Sequence, residues 1–233
     1  MLQVNHRSGF GAGRRNLEII TDGLQLHLDA GAILSVPNVA GYQVWLDLSG
    51  NNFHFVRGTG TTAEANDPTF NGTPGGMSAN EYWLFDGNDF FDAQAAFSGS
   101  ILRTMGRRDQ PFTIENYWWF ADPTTDVQLI GTGNATSNPN QNGLYWEWAG
   151  LATSRVGFRV TSGGTSLTGS ATNGAATGTW YQTAITGQMN GSTGYFVQNG
   201  VQNGTFSANT GWTSGDSSVA CSIGRRRLDA AFR

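Results

Sequence analysis

The clearest structural signal in the chain lies in residues 179–206, TWYQTAITGQMNGSTGYFVQNGVQNGTF. Tyr181, Thr183 and Ile185 stand at alternate positions, as in a β-strand that packs one face and leaves the other exposed to water. Asn-Gly at 190–191 predicts a turn, because both residues tolerate the positive φ that tight turns require. A second Asn-Gly at 199–200 lies between β-prone residues and predicts a two-residue hairpin loop. The segment therefore predicts three consecutive strands joined by tight turns.

Residues 111–120 predict a second long strand, which is the most aromatic in the chain. Its two faces carry Phe112, Ile114, Asn116 and Trp118 on one side and Thr113, Glu115, Tyr117 and Trp119 on the other. Because both faces carry apolar groups, we expect a central strand. One face would then pack on the core while the other lines a groove.

The region before this strand is less regular. Residues 59–80 are rich in Thr, Gly, Asn and Pro and predict a long surface loop. Residues 82–91 return to a strand pattern. We therefore expect the loop to offer surface contacts rather than core.

The composition is typical of a turn-rich, all-β globular protein. The 233 residues include 33 glycines and 12% aromatic side chains, but only 13% charged ones, about half the usual share. A chain of this length can form one all-β domain. The net charge of −4 and the pI of 5.2 argue against nucleic acid as a partner. No membrane insertion is expected, since no apolar run approaches the ~20 residues that a membrane helix needs.

The first 20 residues differ from the rest. Glycines at positions 9, 11 and 13 interrupt any regular element, and residues 1–17 contain three arginines and no acid. We therefore expect an irregular assembly arm at 1–20 and a β-sandwich at 21–233. The side chains predicted to make the arm's contacts are Arg7, Phe10, Arg14 and Arg15. The first fifteen residues lack the apolar segment of a secretory signal, so no signal peptide is expected.

Several segments resemble, in the same order, the laminin-G type of concanavalin A-like sandwich domains. The matching segments are residues 23–30 (GLQLHLDA), 45–51 (WLDLSGN), 85–90 (FDGNDF), 112–115 (FTIE) followed by Trp118, 180–182 (WYQ), 190–192 (NGS), 196–200 (FVQNG) and 223–225 (IGR). They span about residues 22–225. The resemblance implies an all-β fold, a two-sheet antiparallel β-sandwich of the concanavalin A-like jelly-roll kind.

The same sandwich fold also occurs in glucanases, so the chain could carry the paired carboxylates of a glycoside hydrolase. Glycoside hydrolysis requires two carboxylates about 5–9.5 Å apart, which a strand supplies with acids at i and i+2 or i+4. No two acids in the chain stand at i and i+2, and only two pairs stand at i and i+4. The chain has three histidines but no Gly-x-Ser-x-Gly motif, so the sequence does not indicate a Ser-His-Asp triad. We therefore predict that the chain is not an enzyme and has no catalytic residues.

Calcium is the one cofactor that the sequence leaves open. Oxygen ligands suited to it lie close together at Asp86, Asn88, Asp89 and Asp92, and several proteins of the resembling family bind calcium at a loop edge. The alternative is a structural turn at Asp86-Gly87, capped by Asp89. Zinc is not expected, since the histidines are scattered and the one cysteine, Cys221, lies in a strand-like context that predicts a buried thiol.

Carbohydrate binding is the other function to weigh. Aromatic faces bind the C–H surfaces of sugars, and the resembling domains commonly use one concave sheet as a groove. The side chains predicted to form a sugar platform are Trp118, Trp119, Trp146 and Trp148, with Trp180 as a further candidate. The alternative is that most of the eight tryptophans belong to the core.

The biological setting is predicted from composition. Gly-, Thr- and Asn-rich chains are typical of display outside cells, yet no export signal is expected here. A bacteriophage particle reconciles these features, because virion proteins are made in the host cytoplasm and released by lysis. We therefore expect a non-enzymatic virion structural protein, as capsid decoration or tail or fibre component, with other virion proteins and copies of itself as partners. Glycan binding is an additional open role. The alternatives are a tail-fibre adhesin that binds host surface glycans and a glucanase-like glycoside hydrolase.

Overall fold

The structure, a computed structural model, describes residues 2–4, 22–78, 80–94, 111–119, 127–131, 143–149, 155–162, 165–170, 172, 174, 176, 178–188, 193–207 and 221–224. The four predicted arm contacts, Arg7, Phe10, Arg14 and Arg15, lie outside these residues. Within the described part of the chain, no helix has the length and apolar character needed to span a membrane.

Sixteen strands make up the secondary structure of the described residues. In chain order they are β1 (Leu2–Val4), β2 (Leu26–Leu28), β3 (Val44–Trp45), β4 (Phe55–Arg57), β5 (Thr69–Asn71), β6 (Tyr82–Leu84), β7 (Phe91–Ala93), β8 (Pro111–Trp119), β9 (Val127–Gly131), β10 (Gly143–Ala149), β11 (Arg155–Ser162), β12 (Thr165–Ser170), β13 (Trp180–Gln188), β14 (Thr193–Gln198), β15 (Val201–Ser207) and β16 (Ser222–Ile223).

Fourteen of these strands form two large sheets. The first sheet has six strands in the order β15-β14-β13-β8-β1-β2, and the second has eight in the order β12-β11-β10-β9-β16-β7-β4-β3. The remaining two strands, β5 and β6, pair with each other in an antiparallel manner. The predicted all-β sandwich fold is therefore confirmed.

The core lies between the two large sheets. One buried cluster joins side chains of the first sheet to side chains of the second. The first sheet contributes Leu26, Leu28, Phe112, Ile114, Trp118, Ile185, Phe196 and Phe206, and the second contributes Trp45, Phe55, Phe91, Ala93, Ile130 and Trp146. Burial of each large apolar side chain contributes about 1.5–3 kcal/mol, so this contact is the main force that holds the sheets together. Cys221 is only 1% exposed and belongs to the same core cluster. Burial, together with the nearby charge of Asp92, raises the pKa of its thiol.

The predicted succession of strands over residues 179–206 is confirmed, while the predicted turn at Asn190-Gly191 lies outside the described residues. β13, β14 and β15 are neighbours in the first sheet, and all pairings among them are antiparallel. Asn199 and Gly200 have φ angles of 50° and 78°, and Gln198 pairs with Val201 across them. Positive φ at both central residues is what a hairpin loop of this length requires. The Asn-Gly signal therefore identified the turn correctly.

Strand β8 is central, as predicted, with β13 on one side and β1 on the other. Its side chains alternate strictly between buried and less buried positions. The buried face includes a polar group, Asn116, which is bonded within the sandwich. The hydroxyl of Thr183 donates to its side-chain oxygen, and the Trp118 indole donates to that hydroxyl over 2.7 Å. Such pairing removes most of the cost of burying polar groups.

The first residues of the chain take part in the sandwich itself. β1 lies between β8 and β2 and pairs with both in parallel, with Leu2 opposite Ile114 and Leu26. For these three residues the finding differs from the expected irregular arm held by a neighbouring chain, because their backbone bonds lie within the protein's own sheet. The boundary between arm and sandwich stays a prediction.

Candidate functional site

The β5–β6 pair packs against the core of the sandwich through an aromatic cluster. The ring of Trp83 lies 5.0 Å from that of Phe91 and 5.0 Å from that of Phe70. Adjacent residues on a strand point to opposite sides, so Tyr82 faces away from this cluster. Its ring lies 5.5 Å from that of Trp180 on β13, nearly edge-on. The core packing of Trp83 therefore positions Tyr82 beside the first sheet.

Aromatic rings meet on the outer face of the first sheet, at the end of β8 and the start of β13. Trp119 and Trp180 are directly paired across these strands. The ring of Tyr117 lies 6.1 Å from that of Trp180. Trp119 is 40% exposed, whereas the other rings are partly covered. We call the four rings of Tyr82, Tyr117, Trp119 and Trp180 the aromatic platform.

Polar groups flank the aromatic platform on the same face. The side-chain amide of Gln182 donates to the carboxylate of Glu115, and the hydroxyl of Thr113 donates to that of Thr186 over 3.0 Å. The backbone N–H of Gln182 donates to the side-chain oxygen of Asn199 over 3.0 Å. Among the described outward-facing side chains of β8, β13, β14 and β15, Glu115 is the one charged group.

This arrangement suits an amphipathic ligand. The face of an aromatic ring is negative and attracts weakly positive C–H groups, while the amides and hydroxyls nearby form directed hydrogen bonds. Because the rings of Tyr82 and Tyr117 contact that of Trp180 and the strands hold them, these side chains lose little freedom on binding. A flat ligand with C–H faces and hydroxyl edges fits such a surface.

Two of the four tryptophans predicted to bind sugar belong to the core. Trp118 is 6% exposed and Trp146 is 0% exposed, and both lie in the cluster between the sheets. This corrects the prediction for these two, because a ring packed between sheets has no free face. Trp119 points outward and is part of the aromatic platform. The side chain of Trp148 lies outside the described residues.

Two members of the aromatic platform were missed from the sequence, namely Tyr82 and Tyr117, and Trp180 was only a further candidate. Tyr117 and Trp119 share the odd-numbered face of β8, so the alternation along the strand already separated them from Trp118. Tyr82 carried no such signal. Its place depends on how the β5–β6 pair packs against the sandwich.

The three aspartates proposed for calcium do not form one group. The carboxylate of Asp89 accepts the backbone N–H of Asp86 over 3.0 Å, as a capped turn predicts. That of Asp92 accepts the hydroxyl of Ser222 over 2.7 Å. Burial, together with the charges of Asp86 and Asp67, raises the pKa of Asp89 to about 6. Across the described ranges, no group of three or more His, Cys, Asp or Glu side chains is placed to hold a metal ion.

Two of the histidines lie beside a structural carboxylate. Asp47 accepts the backbone N–H groups of His27 and Phe53, at 2.9 Å and 3.0 Å. The ring of His54 accepts the backbone N–H of Asp47 over 3.0 Å. These bonds join the loop after β3 to β2 and β4, so they brace the fold. They give neither histidine a nucleophile to activate.

Comparison with known proteins finds similarity in structure alone. The chain matches no protein family, and no curated protein sequence matches it.

Solved structures that resemble the chain include binding domains and carbohydrate-binding modules. The binding domain of botulinum neurotoxin serotype D/C matches with a TM-score of 0.56 and 12% identity over 92% of this chain and 46% of that one. A structure of botulinum neurotoxin type C, whose cell entry depends on interaction with two ganglioside molecules, matches with a TM-score of 0.51 and 11% identity over 84% and 42%. A carbohydrate-binding module of a Ruminococcus gnavus sialidase, bound to sialyllactose, matches at a TM-score of 0.41 and 16% identity over 55% and 71%.

The likeness to the toxin domains shows the fold. The chain spans less than half of each toxin structure, and at these identities no site can be carried across. The third match is too loose to support a conclusion. The likeness to the toxin domains agrees with the observed all-β architecture, while the narrower concanavalin A-like assignment stays a prediction.

Proposed function

We propose that this chain is a non-enzymatic carbohydrate-binding module, which holds saccharides on the aromatic platform. The single observation that carries the proposal is the exposed Trp119 beside three partly exposed rings, on a sheet face rimmed by amide and hydroxyl groups. The sandwich core buries large rings such as Trp118 and Trp146, so a group of rings left together on an outer face suggests a ligand surface.

The charge of this face favours neutral saccharides. Glu115 is the one charged group among the described outward side chains of four strands, and it is negative. A carboxylate accepts hydrogen bonds from sugar hydroxyls, whereas it repels the carboxylate of an acidic sugar. The preferred ligand is therefore a neutral oligosaccharide that covers two or more rings.

We further propose that the chain is a structural protein carried on a phage particle. The support for this role is the composition and the basic residues 1–17, which would contact acidic neighbours in other virion proteins or further copies of this chain. The adhesin alternative shares the same carbohydrate surface and differs in location. Imaging a particle that contains the chain, with Arg7, Arg14 and Arg15 either intact or replaced by alanine, distinguishes incorporation through these contacts from a passive segment.

The glycan test compares matched aromatic substitutions. We expect the intact protein to bind neutral oligosaccharides on a glycan array, and Trp119→Ala to weaken that binding at least about tenfold, a loss of roughly 1.4 kcal/mol. Tyr195→Ala is the control, because Tyr195 is also 40% exposed on the same face but lies on β14, away from the platform. The control should bind like the intact protein.

Two results would contradict the proposal. One is an array without hits, and the other is equal binding by the Trp119 and Tyr195 variants. Glu115→Gln tests the charge argument separately: we expect it to admit acidic saccharides that the intact protein rejects. Incubation with the bound glycans should release no reducing sugar, and release would support the glycoside hydrolase alternative.

A further inference from the structure

Three side-chain oxygens converge on Gly58, just after β4. The residue has a φ of +57°, and a Cβ at this position would lie 2.5 Å from Oδ1 of Asp67 and 2.5 Å from Oε1 of Glu64. The side-chain oxygen of Asn66 would lie 3.0 Å from the same point. Glycine is favoured here by the backbone conformation, and side-chain oxygens fill the space that its missing Cβ leaves.

One of these oxygens is buried without a hydrogen bond. Asp67 is only 8% exposed, and its Oδ1 has no partner, while its Oδ2 accepts the backbone N–H of Glu64 over 3.1 Å. A buried carboxylate oxygen without a partner costs several kcal/mol or more, so native proteins normally supply a donor, a water or a cation. The unpartnered oxygen points to the space shared with Glu64.

The other groups are held in place. The hydroxyl of Thr59 donates to both carboxylate oxygens of Glu64 at 2.7 Å, and its backbone N–H donates to the same carboxylate. The loop itself is fixed to the segment before β7, since the N–H of Gly58 donates to the carbonyl of Phe90 over 2.8 Å. The N–H of Phe90 in turn donates to the carbonyl of Asn66 over 3.3 Å. The Glu64 carboxylate and the backbone of the loop are thus arranged before any ligand arrives.

The neighbouring arginine does not neutralise this loop. The guanidinium of Arg57 donates to the carbonyl of Pro68 at 2.7 Å and 3.1 Å and to that of Tyr42 at 3.1 Å. It also lies 5.3 Å from the centre of the Trp83 ring. Three of its five N–H donors therefore bond to neutral carbonyls, and none of these bonds goes to Glu64 or Asp67. The negative charge of Asp67 also contributes to the raised pKa of Asp89.

We propose that Glu64, Asn66 and Asp67 form a calcium-binding loop over Gly58. The carboxylate oxygens of Glu64 and Asp67 each lie 2.5 Å from the point that a Cβ of Gly58 would occupy, so they are at most about 5 Å apart. This is close enough for one Ca²⁺ ion, whose ligands lie at roughly 2.3–2.6 Å, to bind both. Two carboxylates and an amide oxygen are hard ligands of the kind Ca²⁺ takes, with water and backbone oxygens to complete the shell. Mg²⁺ demands a stricter octahedron and loses its water reluctantly, so it should bind less well.

The test measures thermal unfolding of the full chain after removal of metal by EDTA. Titration with CaCl₂ should raise the Tm in a saturable manner, by about 5–10 °C at a concentration ~100-fold above the dissociation constant. MgCl₂ at the same concentration and ionic strength should give a smaller shift. Isothermal titration calorimetry should report one site.

Three variants locate the site. Asp67→Asn and Glu64→Gln keep the side-chain shapes and should each abolish most of the calcium-dependent shift. Asp92→Asn is the matched control, because Asp92 is a partly buried aspartate bonded to Ser222 on another strand. Any decrease in the Tm of this control should be the same with and without calcium. The calcium-dependent shift should therefore keep its full size.

Three outcomes would overturn the proposal. Absence of a saturable shift and of calorimetric binding in the intact protein would mean that water fills the space. A full shift retained in both Asp67→Asn and Glu64→Gln would place any calcium elsewhere. Loss of the calcium-dependent Tm shift in Asp92→Asn alone would also place the calcium elsewhere. If Asp67→Asn fails to fold, Glu64→Gln and calorimetry on the intact protein still decide.

Discussion

A single buried carboxylate organises the loop between β5 and β6. Glu81 is 3% exposed, and its oxygens accept the backbone N–H groups of Ser78 and Thr73. A Cβ at Gly76 would overlap the same carboxylate, so the loop is packed tightly around it. Burial alone would raise the pKa of Glu81, but the hydrogen bonds outweigh it and lower the pKa below the usual 4.5.

Replacing Glu81 by Gln should destabilise the protein at neutral pH. The amide has one acceptor oxygen and adds donors that face backbone N–H groups, so we expect a loss of roughly 1–3 kcal/mol in the free energy of unfolding. Urea denaturation at pH 7 measures it. Asp22→Asn, at an exposed position, is the control and should change little.

The same residue makes stability depend on pH. Because folding lowers the pKa of Glu81, the carboxylate stabilises the fold above pH 4.5, and this contribution is lost as the pH falls through the lowered pKa. The difference in unfolding free energy between the intact protein and Glu81→Gln should therefore shrink between pH 5 and pH 2. A constant difference would show that the charge is not what stabilises the loop.

At the scale of elements, close contact between strands depends on small residues. Gly194 on β14 is buried beneath the ring of Phe206 on β15, and that ring also packs edge-on against Phe196 at 5.6 Å. A Cβ at Gly194 would overlap the Phe206 ring. The hairpin of β14 and β15 can bring this ring into the core only because position 194 has no side chain.

Gly194→Ala should therefore lower the Tm. Overpacking of a core by one methyl group costs about 1–3 kcal/mol, which corresponds to a decrease of roughly 2–10 °C for a domain of this size. Thr193→Ala, at the exposed neighbouring position, should leave the Tm nearly unchanged. A double variant, Gly194→Ala with Phe206→Leu, should recover part of the loss; if it falls by the sum of both changes, the two positions do not interact.

At the scale of the whole molecule, the start of the chain is joined to its middle. β1 supplies the strand between β8 and β2, so backbone pairs link residues separated by more than a hundred positions. Pairing over such distances is entropically costly to form, and it completes the first sheet. The sandwich therefore includes at least part of the segment that the sequence assigned to an assembly arm.

Deleting residues 1–4 should thus destabilise the sandwich. Each backbone hydrogen bond lost contributes roughly 0.5–1.5 kcal/mol, so we expect a decrease of about 2–4 kcal/mol in the free energy of unfolding. Gln3→Pro should act in the same direction because proline lacks the N–H donor, whereas Gln3→Ala keeps the backbone bonds and serves as its control. Unchanged melting of the deletion variant would instead support an arm held by other chains.

Local patterns in the sequence determined the strands that are long and regular. The alternation along β8 and the Asn-Gly turn after β14 act over a few residues, so no knowledge of the rest of the chain was needed. Alternation also separated Trp118 from Trp119, although both were assigned to the sugar platform. The all-β class follows equally from glycine content, aromatic content and the order of the motifs.

Only the tertiary structure decided which groups meet. The expected loop at residues 59–80 contains β5, a strand of three residues that exists because β6 pairs with it and Trp83 anchors both. That packing brings Tyr82 to Trp180, and the fold of the same loop gathers three oxygens over Gly58. Contacts between distant segments depend on how the sheets stack and twist. No periodicity within a short window encodes them, because their free energy comes from burial shared by the whole sandwich.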